Sequence, residues 1–191
     1  PITYHNGYIY IGTWNGESAS GTFACFPVAD EKPDQTDEIK YAKWTLSHKG
    51  GFYWVGAYAT DNFVVFGSDD GTGEGDYTAN AILYSVDPKT GAIIDTIAGI
   101  KGDIRSTVAY YEGACYAVTK GGLFLKAPIS ADGHFDHDAF QTVDMGNMCT
   151  STPIIYKGKA FIGTSGASQF SSPGALNIID VNTMQLVQGI T

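Results

Sequence analysis

One pattern recurs four times along this 191-residue chain, and it narrows the possible folds more than any other feature. Each copy has an apolar strand, a tight turn, a second apolar strand closing at or near Gly-Thr or Gly-Ser, and then a third strand. The copies open as PITYHNGYIYIGTWNG (Pro1 to Gly16), VGAYATDNFVVFGSDDG (Val55 to Gly71), STVAYYEGACYAVTKGG (Ser106 to Gly122) and STPIIYKGKAFIGTSG (Ser151 to Gly166). The turn falls at Gly7, Asn62, Gly113 and Gly158, in steps of 55, 51 and 45 residues. Gly and Asn adopt positive φ most readily, and a two-residue hairpin demands it, so a left-handed residue is expected at all four. Five residues beyond each turn stand Gly12, Gly67, Val118 and Gly163: three glycines at one offset, in repeats of unequal length.

The third strand recurs as GTFACFPVAD (Gly21 to Asp30), AILYSVDPKTG (Ala81 to Gly91), LFLKAPISADG (Leu123 to Gly133) and ALNIIDVNTM (Ala175 to Met184). A fourth follows as YAKWTLSH, AIIDTIAG, FQTVDMG and MQLVQGI. No long stretch places apolar residues at helical spacing. With 24 Gly, 12 Tyr, 10 Phe and only 16% charged residues, the balance favours strands joined by tight turns. Four antiparallel strands per unit of this length match a β-propeller blade. The expected fold is all-β: four blades, approximately 1–50, 51–101, 102–147 and 148–191, forming a single propeller domain or a fragment of one.

The opening Pro1 to Gly16, read with LYSVDPKTG (Leu83 to Gly91), resembles the repeat of the pyrroloquinoline-quinone-like, or quinoprotein-like, propellers. That family includes quinone-dependent alcohol dehydrogenases and outer-membrane assembly scaffolds. The family tryptophan after each turn has only a loose counterpart in Trp44, and the third repeat lacks Gly-Thr. The dehydrogenases of the family use adjacent cysteines, a calcium-binding Glu and Asn, and a catalytic Asp within a full ring. Here Cys25, Cys115 and Cys149 are far apart and no position matches that set, so neither enzymatic activity nor a quinone cofactor is expected. Larger family members have about six to eight blades. The resemblance therefore leaves two arrangements: a closed four-bladed ring, or half of a larger propeller. In the second, a homodimer would complete an eight-bladed ring by covering open edges. A chain that begins at Pro1 reads as a piece of a larger exported protein, extracellular or at the cell surface.

Charge removes further classes. Asp and Glu outnumber Lys and Arg by 20 to 11, a net charge of −9. Nucleic-acid binding needs a cationic footprint, as does an anionic membrane surface. Apolar runs such as Phe63 to Phe66 are too short to cross a membrane as a helix, and no membrane insertion is expected. The three scattered cysteines fit neither a disulfide framework nor structural zinc spacing, and read as small buried apolar residues.

Strand order places the second-to-third-strand loops and the blade-to-blade links on one rim. The hairpin turns and the polar 29–41 loop fall on the other, which is expected to offer little binding material. The first rim carries Trp14 to Ser20, Ser68 to Asn80 and Ser165 to Gly174, with Phe52, Tyr53 and Trp54 entering the second blade. Loops on a rigid scaffold are where binding concentrates, so the candidate residues are Trp14, Tyr53, Trp54, Asp69 and Asp70, contacting protein or glycan. The plainer alternative packs Trp54 between blades and lays Trp14 over loop backbone. The acidic SDDGTGEGD segment, with Asp69, Asp70, Glu74 and Asp76, offers oxygen ligands for Ca²⁺ but misses the EF-hand pattern; a solvated loop is favoured and no metal is expected. DGHFDHD, with His134, Asp136, His137 and Asp138, reads as an exposed turn rather than a transition-metal site. GTSGA (Gly163 to Ala167) and GTGEGD miss the nucleophile-elbow and dinucleotide patterns and precede no helix. The chain therefore reads as a non-catalytic propeller binding domain. Its second reading is an assembly module pairing with itself or with neighbouring domains, and its third a quinone-dependent dehydrogenase.

Overall fold

Period-two alternation governs how the strands pack, because successive side chains leave opposite faces of a sheet. The computed structural model describes residues 1–73, 75–165 and 174–190. Glu74 of the acidic segment, Gly166 and Ala167 of GTSGA, and most of the Ser165 to Gly174 loop lie outside the described residues. Blade one consists of β1 (Thr3–His5), β2 (Tyr8–Gly12), β3 (Ser20–Pro27) and β4 (Trp44–Lys49); blade two of β5 (Tyr58–Ala59), β6 (Val64–Gly67), β7 (Ala81–Val86) and β8 (Ile93–Ile100). Blade three holds β9 (Ala109–Tyr111), β10 (Ala114–Val118), β11 (Leu123–Pro128) and β12 (Gln141–Asp144). Blade four holds β13 (Ile154–Tyr156), β14 (Lys159–Thr164), β15 (Ala175–Asp180) and β16 (Gln185–Ile190). Each blade is one antiparallel sheet with its strands in chain order.

Three core clusters lie at the three blade junctions. Tyr10, Phe23, Trp44, Phe52, Val64 and Phe66 join blade one to two. Phe63 and Val65 turn the other way and meet Ile104, Cys115 and Leu125 of blade three. Val118 and Phe124 meet Cys149, Ile162 and Ile179 of blade four. Blades two and three are covered on both sides, so β6 and β10 are buried along their whole length. In the first cluster the Phe23 and Phe66 rings stack at 3.7 Å, with Phe52 edge-on to both. Trp44 completes that junction. Its indole N–H donates to the Pro88 carbonyl at 3.0 Å, and its ring lies on Gly91 so closely that a Cβ there would come within 2.6 Å. The glycine ending Asp-Pro-Lys-Thr-Gly is thus required both by its φ of 72° and by the tryptophan.

Two of the three glycines five residues beyond the turns, Gly12 and Gly67, have a packing cause; Gly163 has room for a side chain. A Cβ on Gly12 would lie 2.5 Å from Phe52, and one on Gly67 would lie 2.2 Å from Ile104. Phe52 and Ile104 open the links into the next blades. The matching link residue in blade four is Cys149, and beside this smaller side chain the third repeat carries Val118. The missing Gly-Thr is therefore compensated. Asn62 departs from expectation. The hairpins at Asn6–Gly7, Glu112–Gly113 and Lys157–Gly158 have paired positive φ, but Asn62 does not. There the Thr60 hydroxyl accepts hydrogen bonds from the backbone N–H groups of Asn62 and Phe63, closing the turn without left-handed backbone.

The outer faces of the end blades are uncovered. Tyr4 is 65% exposed and Ile154 68%, with Ile2, Tyr156, Leu186 and Val187 also exposed. Among the described residues, no core cluster joins blade four to blade one. The glycine–link contact yields a test by exchange. Gly67→Val should cost about 1–3 kcal/mol in urea denaturation through overpacking against Ile104. Adding Ile104→Cys, which reproduces the Val118–Cys149 pair, should recover part of that loss; a purely additive double variant would contradict the compensation.

Candidate binding site on the loop rim

A repeated backbone staple builds this rim. The link N–H of Phe52 donates to Thr13 O at 3.0 Å, that of Ile104 to Ser68 O at 3.0 Å, and that of Cys149 to Thr119 O at 3.4 Å. The first two staples bring the next residue of the loop beside the next residue of the link: Trp14 beside Tyr53, and Asp69 beside Arg105. At the first junction the Trp14 and Tyr53 rings stack at 4.7 Å, and Tyr53 stacks on Trp54 at 4.4 Å. Trp54 is held at φ 55°, a conformation uncommon for a bulky residue, and is 54% exposed; Trp14 is 37% exposed. Trp54 does not pack between blades, as the plainer reading held; it extends a three-ring surface.

The second junction uses the same positions for charge. Arg105 is buried. Its Nη2 donates to Asp69 Oδ2 and to Glu17 Oε2, each at 2.7 Å, and lies 3.1 Å from Asp103 Oδ2. Its Nε also donates to Asp69 Oδ2, at 3.1 Å, and the guanidinium carbon stands 4.9 Å from the centre of the Tyr53 ring. Asp103 Oδ1 accepts the Asp70 N–H. Asp70 in turn accepts from Thr72 N–H, the Thr72 hydroxyl and Thr78 N–H, tying Thr72 and Thr78 to one carboxylate. His48 Nε2 lies 3.0 Å from the Asp69 carbonyl, which can only accept, so the ring carries its proton on Nε2 and takes the Tyr84 hydroxyl at Nδ1. Burial lowers the His48 pKa.

Three carboxylates therefore face one guanidinium, and buried Asp69 Oδ1 has no hydrogen-bond partner. Burial, opposed by the Arg105 hydrogen bond, pushes Asp69 up to about 7. Burial likewise pushes Asp103 up to about 6, against the Asp70 N–H and Arg105. Glu17, Asp69 and Asp103 bring one carboxylate oxygen each within 4.8 Å of one another, a donor set suited to a cation, but Arg105 Nη2 already stands among them. Asp69 and Asp70, read as parts of a solvated loop, are buried structural groups instead. The distal histidines stay apart on an exposed turn, His137 beside Asp95 of blade two and His134 beside Asp132. All three cysteines are buried and free.

Of the five candidate residues, the structure unites Trp14, Tyr53 and Trp54 on the surface and places Asp69 and Asp70 beneath the rim. Glu17, His48, Asp103 and Arg105 are absent from the sequence-based set. One signal did point to the cluster: Arg105 is the only arginine in the chain. The hairpin rim, expected to be poor in material, carries two hollows, of about 340 and 520 Å³.

The cluster gives an inverted pH dependence. Asp69 and Asp103 bind protons more tightly folded than unfolded, where the ordinary value is 3.8. Their contribution to stability therefore falls as pH rises through 6 and 7 and recovers on acidification. Below about 6.5 the neutral His48 works the other way. The melting temperature should thus rise as pH falls from 8 to 6.5, and Asp69→Asn, which mimics the protonated acid, should flatten that rise. Equal slopes in both proteins would rule the mechanism out. Arg105→Ala, which strands three carboxylates, should cost about 3–5 kcal/mol in urea denaturation.

No family model matches the sequence, and neither does any curated protein. Solved structures do. BamB from Moraxella catarrhalis superposes with a TM-score of 0.61 at 12% identity over 96% of this chain, and the computationally designed protein Ika8 with 0.60 at 13% over 99%. A europium-containing methanol dehydrogenase matches with 0.53 at 19% over 70% of this chain and 24% of its own. The chain spans about half the length of the first two, 46% and 48%. Among the described residues, sixteen strands in four antiparallel blades, the staple at each junction and these likenesses agree: the chain has a β-propeller fold.

Proposed function

We propose that this propeller segment is a non-catalytic binding and scaffold module of a secreted or cell-surface protein, and that it docks a partner protein on its loop rim. The observation that carries the reading is the stacked run Trp14–Tyr53–Trp54. Its outer rings are exposed, and Tyr53 is backed by Arg105. Rigid aromatic rings give large contact area at little entropic cost, which is why they dominate protein-binding hot spots. The rings border a hollow of about 350 Å³ whose other walls include Ile2, Ile11 and Val55. Such a lining suits an apolar side chain of a protein better than a sugar, whose hydroxyls need polar partners. The charged groups nearby are bound to one another, with Arg105, Asp69 and Asp103 buried, which supports a role without chemistry. Panning a random peptide library displayed on phage, with Trp54→Ala as the counter-selection, should enrich peptides that bind Trp14→Ala and Trp54→Ala at least about tenfold more weakly. Both variants should melt within a few degrees of the unaltered protein. No enrichment, or peptides indifferent to Trp54, would refute the reading.

A second reading rests on the uncovered end faces. Tyr4, Ile154 and Tyr156 stand where the inner blades have a neighbour, so assembly with another copy, or with an adjoining segment of the parent protein, would repeat a junction made three times within the chain. Light scattering should then give twice the 20.4 kDa chain mass, falling to the single mass in Tyr4→Lys and Ile154→Lys. A concentrated sample that stays monomeric would exclude the homodimer.

A further inference from the structure

The hollows on the hairpin rim form one trough. The first lies between the hairpins of blades one and two, the second between blades two and three, and Asp61, Asn62 and Lys89 line both. We propose that this trough is a second binding site, on the rim opposite the aromatic run, for a short oligosaccharide that is neutral or amine-bearing.

The side chains are held in place without a ligand. His5 Nε2 and Asn6 Nδ2 lie 2.8 and 3.1 Å from Asp61 Oδ1, so both contacts fall on one carboxylate oxygen and leave Oδ2 to accept from a ligand. The His5 hydrogen bond holds Asp61 below its ordinary carboxylate range, which keeps it an acceptor at neutral pH. Asn62 donates an amide N–H to the Ala131 carbonyl at 3.0 Å, which holds the side chain in place, and among the described residues its Oδ1 accepts no hydrogen bond. Lys89 supplies an ammonium donor, its backbone N–H already tied to Asp87 Oδ1. Tyr8, its hydroxyl accepting from Lys43, lines the blade-one end. Asp61 and Asn62, held in place before any ligand arrives, lower the ordering cost of binding.

The chemistry of this row selects its ligand. A hydroxyl both donates and accepts, so a polyol satisfies a carboxylate, an amide oxygen and an ammonium in succession. An anionic ligand would meet Asp61, Asp87 and Asp132 against one lysine. A peptide would want an open strand edge or a closed apolar pocket; polar turn side chains line most of the trough, and Tyr8, Tyr10, Pro88 and Ala131 are its apolar share.

The test is titration of the whole chain, followed by amide chemical shifts, with cello-, xylo-, manno- and chito-oligosaccharides and their de-acetylated amino forms. At least one should bind at about millimolar affinity or tighter, moving the amides of residues 5–8, 60–62 and 88–90. Asn62→Ala and Lys89→Ala should each weaken it about tenfold, while Trp54→Ala leaves it unchanged. Both altered residues are exposed in turns, and an unchanged melting temperature confirms the fold. Absence of binding across the panel, binding indifferent to Asn62 and Lys89, or binding lost with Trp54 would each overturn the site. Selected peptides sensitive to Asn62 and not to Trp54 would assign the trough to protein instead. Because the readouts lie on opposite rims, failure here leaves the aromatic-rim reading standing, and the reverse.

Discussion

Close approach between the end of one blade's second strand and the link entering the next is the contact on which the remaining geometry rests. It needs a missing side chain at Gly12 and Gly67, or a small partner such as Cys149, and it aligns each link N–H with a loop carbonyl. Once that hydrogen bond forms, the following residues of loop and link must be neighbours. The slot so created is indifferent to chemistry. It holds a ring pair at the first junction and an ion pair at the second, which is how one repeat supports different surfaces without altering its frame.

The ion pair shows what burial does to an uneven set of charges. Arg105 balances one carboxylate fully, yet Asp69, Asp103 and Glu17 all converge on it. Replacement of such a group by apolar residues is often neutral in energy, so its value here lies in position rather than in net stability. Arg105 ties the blade-one loop through Glu17 to the blade-two loop through Asp69. Asp103 holds the Asp70 backbone, and His48 anchors the Asp69 backbone from β4. The aromatic run above is set in a stiff bed, which keeps the ordering cost of contact low.

The architecture was legible in the sequence because a blade is a local object. Its turns, glycines and alternation lie within about 50 residues, and the strand limits fall where Gly, Pro and Asp interrupt apolar runs. The exceptions were also local but depended on a partner. Val118 is intelligible only beside Cys149, and the Asn62 turn only through the Thr60 hydroxyl. The site was half legible. Trp14 read as surface because it sits in a loop, and Trp54 because it enters blade two on the same rim; both are exposed, while Phe52 of that link is core. Asp69 and Asp70 read as solvated because their neighbours are Ser, Gly and Thr, whereas the residue that buries Asp69 lies 36 positions away and Glu17 lies 88 from Arg105. The trough escaped notice for a related reason: minimal hairpins hold little individually, and the space arises only between two of them.

The inward placement of Arg105 has a consequence for the outer surface. Every other cationic side chain of fixed charge in this chain is a lysine. A guanidinium grips a carboxylate or phosphate with two parallel N–H groups and so dictates its orientation, while an ammonium attracts it as a point. With its single fork turned inside, the exterior of this segment can draw an acidic group near but cannot align it. Whatever angular selectivity the module has toward its ligands must come from flat rings, amides and carboxylates.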